Sequence, residues 1–333
     1  MIAIFGNPKD PHAQEICNKI NALGHDCTII STTRCSLKNT NFIFSHNQGQ
    51  PSTIKINQGS TTILIDDVRA ALVLQPIFPL FSTTAQEFSQ ELKFWFFTWR
   101  ESMEGIYAVL ERNGVLLNHS VSNAMANQNK IRYISAPLTR LLKQPKTIIS
   151  NNRETLLKFF ESSHQPVILK TLHQMQLSLD GEPTMLLASL VQHDDFVDFG
   201  KTNECPVFLQ EYIEKIYDVR LTIVGNQIFT CKIDATQSDA GRVDWRAYDL
   251  ANTPHTPYFL PKNIAEEIIN ICTQLTIDYA TIDICVNHKG EYYLLDINPF
   301  GKYLWIEHAI GTPITDAIAR FLIKKSVQSH QIM

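Results

Sequence analysis

Short apolar runs at 2–5 and 27–31 predict strands, and the stretch between them, 11–23 closed by Gly24, predicts a helix. The spacing is βαβ-like. Further strand candidates at 42–44, 53–56 and 62–65 are separated by Asn, Gly and Ser turns. Residues 87–110 then read as one helix with Phe88, Leu92, Trp95, Phe96, Trp99, Met103, Ile106 and Leu110 on a broad apolar face. Such a stripe fits a core or dimer face rather than a cofactor box.

A polar loop from 118 leads into a helical stretch opened by Lys130 that carries Ile131, Ile134, Leu138, Leu141 and Leu142, with Pro137 placed to kink or restart it. The stretch 146–149 leads to a helix at 153–160, and a strand at 166–170 follows, ending in Lys170. Taken alone, that lysine is a solvated charge. The loop 171–184 contains one glycine. Residues 207–213 form a strand running into a connector, and 218–224 and 227–235 form a hairpin around Gly225-Asn226. Asp218, Arg220 and Thr222 share one face of it, opposite Val219, Leu221 and Ile223. An acid and a base on one strand face also describe a plain surface pair. A helix at 262–275 buries Ile264, Ile268, Ile271, Cys272 and Leu275 and leads into the last hairpin.

That hairpin, 279–301, holds the densest chemistry. Period two places Thr281, Asp283 and Cys285 on one face of its first strand. In its second strand Tyr292, Leu294, Asp296 and Asn298 share a face, opposite Tyr293, Leu295 and Ile297. A two-residue loop at Lys289-Gly290 would set Asp283 directly opposite Asp296, with Asn298 one step along. Like charges so placed are destabilising unless something compensates them, and a divalent cation would. Two carboxylates and an amide oxygen suit Mg²⁺, which takes its remaining ligands from water and phosphates. A surface hairpin with solvated acids fits the same pattern equally well.

Composition narrows the field. The 333 residues allow two or three domains, and a net charge of −4 with no basic block argues against nucleic acid as a partner. Seven cysteines without a C-x-x-C pair suggest neither a disulfide framework nor a zinc site. No apolar run is long enough to span a bilayer, and no signal peptide precedes the first strand, so a cytoplasmic location is expected. Neither G-x-G-x-x-G nor a Walker A loop is present.

The order Lys130, Lys170, Gln210-Glu211-Tyr212-Ile213, Asp218-x-Arg220, Asp283 and Asp296-x-Asn298 resembles the ATP-grasp superfamily. Segments 208–230, 244–246 and 296–307 resemble, more finely, the microviridin-type peptide ester and amide ligases, the graspetide synthetases. The resemblance covers the chain well from about residue 118 onward and weakly before it. It implies an α/β (α+β) ATP-grasp fold: an N-terminal pre-ATP-grasp α/β domain over 1–115, a central subdomain over 116–205 and a C-terminal subdomain with the metal site over 206–330. By the same resemblance Lys130 and Lys170 hold ATP phosphates, Gln210, Glu211, Tyr212 and Ile213 receive adenine, and Asp218 contacts ribose. Asp283, Asp296 and Asn298 ligate Mg²⁺. Arg220 reaches the γ-phosphate or an acyl phosphate, and Arg246 orients the acceptor carboxylate. Trp245 and Trp305 pack the walls.

The implied activity is ATP- and Mg²⁺-dependent ligation through an acyl phosphate, joining Asp or Glu to Thr, Ser or Lys side chains of a ribosomal precursor peptide. Two alternatives stay open: an amino-acid-adding ligase resembling the ribosomal-protein glutamate ligases, and a nucleotide-binding scaffold without catalysis. Departures from the pattern are Asp296 in place of the usual Glu, Lys302 in place of Gln or Glu, an added cation at Lys232, and Val73-Leu74-Gln75 where relatives often carry Tyr-Arg-Arg. The apolar helix at 87–110 allows a homodimer.

Overall fold

The computed structural model describes residues 1–76, 89–135, 141–172, 176–179, 182–198, 204–235, 238, 241–247 and 253–329. The expectations for Phe88, Pro137 and Leu138 lie outside these residues.

The chain begins with β1 (Ile2–Gly6), α1 (Pro11–Ala22) and β2 (Cys27–Ser31), a parallel pair with its crossover helix. Asp10 caps α1 by accepting from the His12 amide, and Pro11 occupies the first turn, where its missing N–H costs nothing. After α2 (Arg34–Leu37), the strands β3 (Thr40–Ser45), β4 (Thr53–Gln58) and β5 (Thr61–Leu64) make a separate antiparallel sheet. The wholly buried β6 (Ala70–Val73) then returns to pair parallel with β1, so the Val73-Leu74 segment is core strand and its end.

The helix α3 (Gln90–Arg112) is buried only through Met103, Ile106, Tyr107 and Leu110, which pack into the core of β1, β6 and the antiparallel sheet. In its first half the expected face, Leu92, Trp95, Phe96 and Trp99, is half-buried, while Phe94, 75% exposed, and Phe97, 48% exposed, lie off that face. Trp95 and Trp99 lie at the α2–β3 edge, near Arg34 and Phe42.

The central elements are α4 (Val121–Asn127), α5 (Lys130–Ser135), β7 (Thr147–Ser150), α6 (Arg153–Ser162), β8 (Val167–Lys170), the hairpin β9 (Gln176–Leu179) and β10 (Glu182–Met185), β11 (Ser189–Leu190), α7 (Asp195–Asp198) and β12 (Val207–Glu211). The sheet order β11-β8-β12-β7 carries Lys170 and Gln210 on neighbouring strands. Because β12 pairs with both β7 and β8, this sheet extends to Glu211.

The C-terminal sheet, β15-β14-β13-β16-β17, is antiparallel throughout. It comprises β13 (Lys215–Val224), β14 (Gln227–Ile233), β15 (His255–Pro257), β16 (Tyr279–Asn287) and β17 (Tyr292–Asn298). On one face Val219, Leu221, Ile223, Ile282, Ile284, Leu294 and Ile297 pack against Ile264, Ile268, Ile271, Cys272 and Leu275 of α8 (Lys262–Leu275), the face expected for that helix. Two helices close the chain: α9 (Leu304–Ile310) and α10 (Ile314–Gln328), the latter against α1. Among the described residues no helix is long and apolar enough to cross a membrane.

The last hairpin differs instructively from its expected form. Asn287 opposes Glu291 across a three-residue loop closed by Gly290 at φ 73°, not a two-residue one. One extra residue, Leu295, is then bulged between the pairs Ile284–Leu294 and Asp283–Asp296. The two changes cancel, so Asp283 does face Asp296, as expected. The bulge also moves Tyr292 and Leu294 to the core face with Ile297, leaving Asp296 on the opposite face. Strict period two, which would have put Leu294 beside Asp296, fails here for that reason.

Ile268 is buried in the centre of the α8 contact. Ile268→Ala should cost about 2–5 kcal/mol of unfolding free energy, read from the shift in urea midpoint.

Candidate functional site

The central sheet and the C-terminal sheet meet at a cleft. Lys130, Lys170, Gln210, Glu211, Tyr212, Ile213, Asp218, Asp244, Trp245, Arg246, Asp283 and Asp296 all line one cavity there. Its floor is the polar face of β13, β16 and β17, whose other face is the α8 core. The alternation of those strands therefore delivers acids to the cleft and aliphatics to the helix.

Four groups arrive with defined partners. Lys130, in the first turn of α5, donates to Asp296 Oδ1 at 3.0 Å. Tyr133, one turn on and facing the same way, donates to the same oxygen at 3.2 Å. Burial works to raise the Asp296 carboxyl, but the Lys130 charge and hydrogen bond outweigh it and hold it below the ordinary range. Lys170 donates to Gln210 Oε1 at 3.2 Å, and Gln210 in turn donates to Thr147 Oγ1 at 2.9 Å. Burial, reinforced by the Lys130 charge, brings the Lys170 ammonium down to about 8.

Asp218 is buried at the start of the cleft beside Lys215, 2.6 Å away, and burial raises its carboxyl despite that partner. Lys215 was not anticipated. It lies three residues before Asp218, on the far side of a bulge at 215–217 that brings both charges to one place. Arg246, in a short turn after the polar loop, is held by Asp244 through both carboxylate oxygens, one of which also accepts from the Ala188 amide. Trp245 lines the cavity and packs against Trp305, with ring centroids 5.1 Å apart and planes 30° apart, whereas Trp305 does not line it.

Two expected site residues do not line the cavity. Arg220 donates to Asp283 Oδ2 at 2.8 Å and to the Lys302 carbonyl at 3.4 Å. Two of its five N–H groups are thus taken by a carboxylate and a backbone oxygen, while its Nε is buried with no partner among the described residues. Asn298 Oδ1 accepts from Gln128 at 2.9 Å and from the Phe300 amide at 3.0 Å, which engages both lone pairs.

The donor set fits Mg²⁺. Asp283 and Asp296 are opposite each other, all candidate ligands are hard oxygens, and Asp283 Oδ1 is buried with no partner among the described residues. Asn298 joins such a set only by giving up a hydrogen bond. Among the described residues there is no cluster of three His, Cys, Asp or Glu side chains, so further ligands would come from phosphates and water.

The turn after β17 is tightly seated. Tyr279 donates to the Gly301 carbonyl at 2.6 Å, and a Cβ at position 301 would collide with the side chain of Thr281. Only glycine lets this backbone lie on the strand.

A family model described as RimK-like ATP-grasp domain matches residues 125–322. Among solved structures, the fold is similar to macrocyclase MdnC bound with precursor peptide MdnA from Microcystis aeruginosa MRC. There the TM-score is 0.82 with 24% identity, covering 97% of this chain and 100% of that one. It is also similar to a RiPP-associated ATP-grasp ligase of Chryseobacterium gregarium in complex with ADP and a leader and core peptide, at TM-score 0.80 and 22% identity, covering 97% and 96%. A third is ATP-grasp ligase PsnB complexed with minimal precursor, Mg and ADP, at TM-score 0.72 and 16% identity, covering 98% and 97%. No curated protein sequence matches the chain.

The lowered Lys170 pKa has a stability consequence. The unfolded lysine, near 10.5, binds a proton that the folded one has shed above about 8, so stability contributed at this position is lowest below pH 8 and rises up to about pH 10.5. Urea unfolding at pH 8 and pH 10 should show this gain in the wild type and lose it in Lys170→Met.

Proposed function

The chain belongs to the RimK-like ATP-grasp family, and on that premise we propose that it is an ATP- and Mg²⁺-dependent carboxylate ligase acting on a ribosomal precursor peptide. The observation that carries the reading is the convergence on one cavity of two lysines, the 210–213 hinge, two opposed carboxylates and an Asp-held arginine. The precursor-bound neighbours of similar fold support the peptide as substrate class.

In this reading Gln210, Glu211, Tyr212 and Ile213 receive the adenine and Asp218 the ribose. Lys130 and Lys170 lie along the phosphates, where desolvation strengthens each charge contact. Mg²⁺, held by Asp283 and Asp296 with Asn298 alongside, would neutralise charge on the phosphate oxygens. Arg220 fixes Asp283 from behind the cavity wall. A substrate Asp or Glu carboxylate attacks the γ-phosphorus, breaking the bond to ADP and forming an acyl phosphate. A Thr or Ser hydroxyl, or a Lys amine, then attacks the acyl carbon; inorganic phosphate leaves and the nucleophile's proton goes to solvent. Arg246, oriented by Asp244, holds the acceptor-peptide carboxylate by its free edge.

The test is intact-mass analysis after co-expression with a short precursor peptide encoded beside the gene. Loss of one water per link supports the ligase; a gain of mass on the acceptor would instead indicate the amino-acid-adding alternative. Unchanged mass without peptide-stimulated ADP release would indicate the scaffold.

Asp283→Ala and Asp296→Ala should each lower turnover about a hundredfold or more, by removing a metal ligand and unbalancing the Arg220 and Lys130 charges. Retention of over a tenth of the activity by both variants, roughly 1.4 kcal/mol or less in barrier, would overturn the metal assignment. Arg246→Ala should retain nucleotide affinity, measured by calorimetry, while losing peptide turnover.

A further inference from the structure

The turn that follows the metal hairpin is held from the far end of the chain. His12 Nε2 accepts from the Tyr303 amide at 3.1 Å and from the Leu304 amide at 3.2 Å. These amides open α9, a helix for which no cap from its own side chains is found. The imidazole is thus a cap supplied across some 290 residues of sequence, by the N-terminal elements.

Accepting two N–H groups at Nε2 requires the proton on Nδ1, which donates to Asp10 Oδ1 at 2.9 Å. Asp10 in turn receives the Lys302 ammonium on its other oxygen and the His12 amide on the first. Both side chains are largely buried, and the His12 ring meets Tyr303 edge-on at 5.1 Å. One carboxylate therefore caps α1, fixes the histidine tautomer and anchors Lys302.

The residues so anchored reach into the site. The Lys302 carbonyl accepts from Arg220, whose other nitrogen holds Asp283, and the Phe300 amide two residues earlier holds Asn298 Oδ1. We propose that Asp10 and His12 are positioning residues for the phosphate end of the site, holding through Lys302 and the first turn of α9 the segment that sets Arg220, Asp283 and Asn298. This rests on the ATP- and Mg²⁺-dependent reading above. It gives the N-terminal elements a part in the phosphate chemistry although none of their described residues lines the cavity, and it gives Lys302, a departure from the family pattern, a partner.

The hinge, Lys130 and Lys170 belong to elements that this clamp does not touch. The clamp should consequently matter for the metal-dependent part of nucleotide binding alone. Calorimetric affinities for the ATP analogue AMPPNP, with and without Mg²⁺, separate the two. In His12→Ala and Asp10→Asn, metal-free AMPPNP should bind within about twofold of wild type, while the gain on adding Mg²⁺ falls about tenfold or more. His12→Gln should restore part of it, because its amide oxygen can accept the same N–H groups. Lys302→Met, which leaves the backbone intact, should lose a smaller share and serves if the histidine variants fail to fold.

Equal weakening with and without Mg²⁺ would show a general structural role and overturn the proposal. So would clamp variants indistinguishable from a wild type that binds Mg²⁺ and AMPPNP together. Wild-type protein without any Mg²⁺-dependent gain would overturn the reading of the site itself, and the clamp's role with it.

Discussion

Two carboxylates face each other across β16 and β17 on the polar side of a sheet whose other side is a hydrocarbon core. Uncompensated, such a pair is unfavourable, both by mutual repulsion and by desolvation. Each acid has its own cation: Lys130 at Asp296 and Arg220 at Asp283. Much of the surrounding architecture supplies or steadies those two charges. The α5 helix presents Lys130 and Tyr133 to one acid, and β13 presents Arg220 to the other by simple cross-strand pairing with Asp283.

The rest of the cleft follows from where the two sheets meet. Lys170 ends its strand half-buried near a second lysine, and desolvation together with that charge brings its pKa down. Such a group costs stability in isolation. It is suited to a phosphate, whose negative charge would offset both the burial and the repulsion. The Asp244–Arg246 pair shows the opposite balance: burial opposes the Asp244 charge, but the bidentate arginine more than compensates it and keeps the carboxyl low.

The N-terminal elements are fastened to this cleft by packing and by direction. Apolar side chains of α1, α9 and α10 share one core with β1 and β14. That contact is non-directional and fixes only proximity. Asp10 and His12 add specific hydrogen bonds that fix the orientation of the turn following β17.

Strong periodicity made some features legible without coordinates. The α8 stripe, the face shared by Asp218 and Arg220, the opposition of Asp283 and Asp296, and the order of lysines, hinge and acids all depend on local repeat or linear order, which the sequence contains in full. Other features depend on compensation between distant or competing choices. A three-residue turn and a bulge at Leu295 cancel in register, so the sequence determined the acid pair while only the tertiary structure decided which neighbours share its face. The half-exposed α3 stripe shows that periodicity marks an apolar face but not what covers it. Arg220's commitment to Asp283 and Lys302, Lys215 beside Asp218, and the cap given to α9 by His12 are contacts between segments brought together only by folding. Their geometry is set by the packing of whole sheets and helices, which no local pattern of residues records.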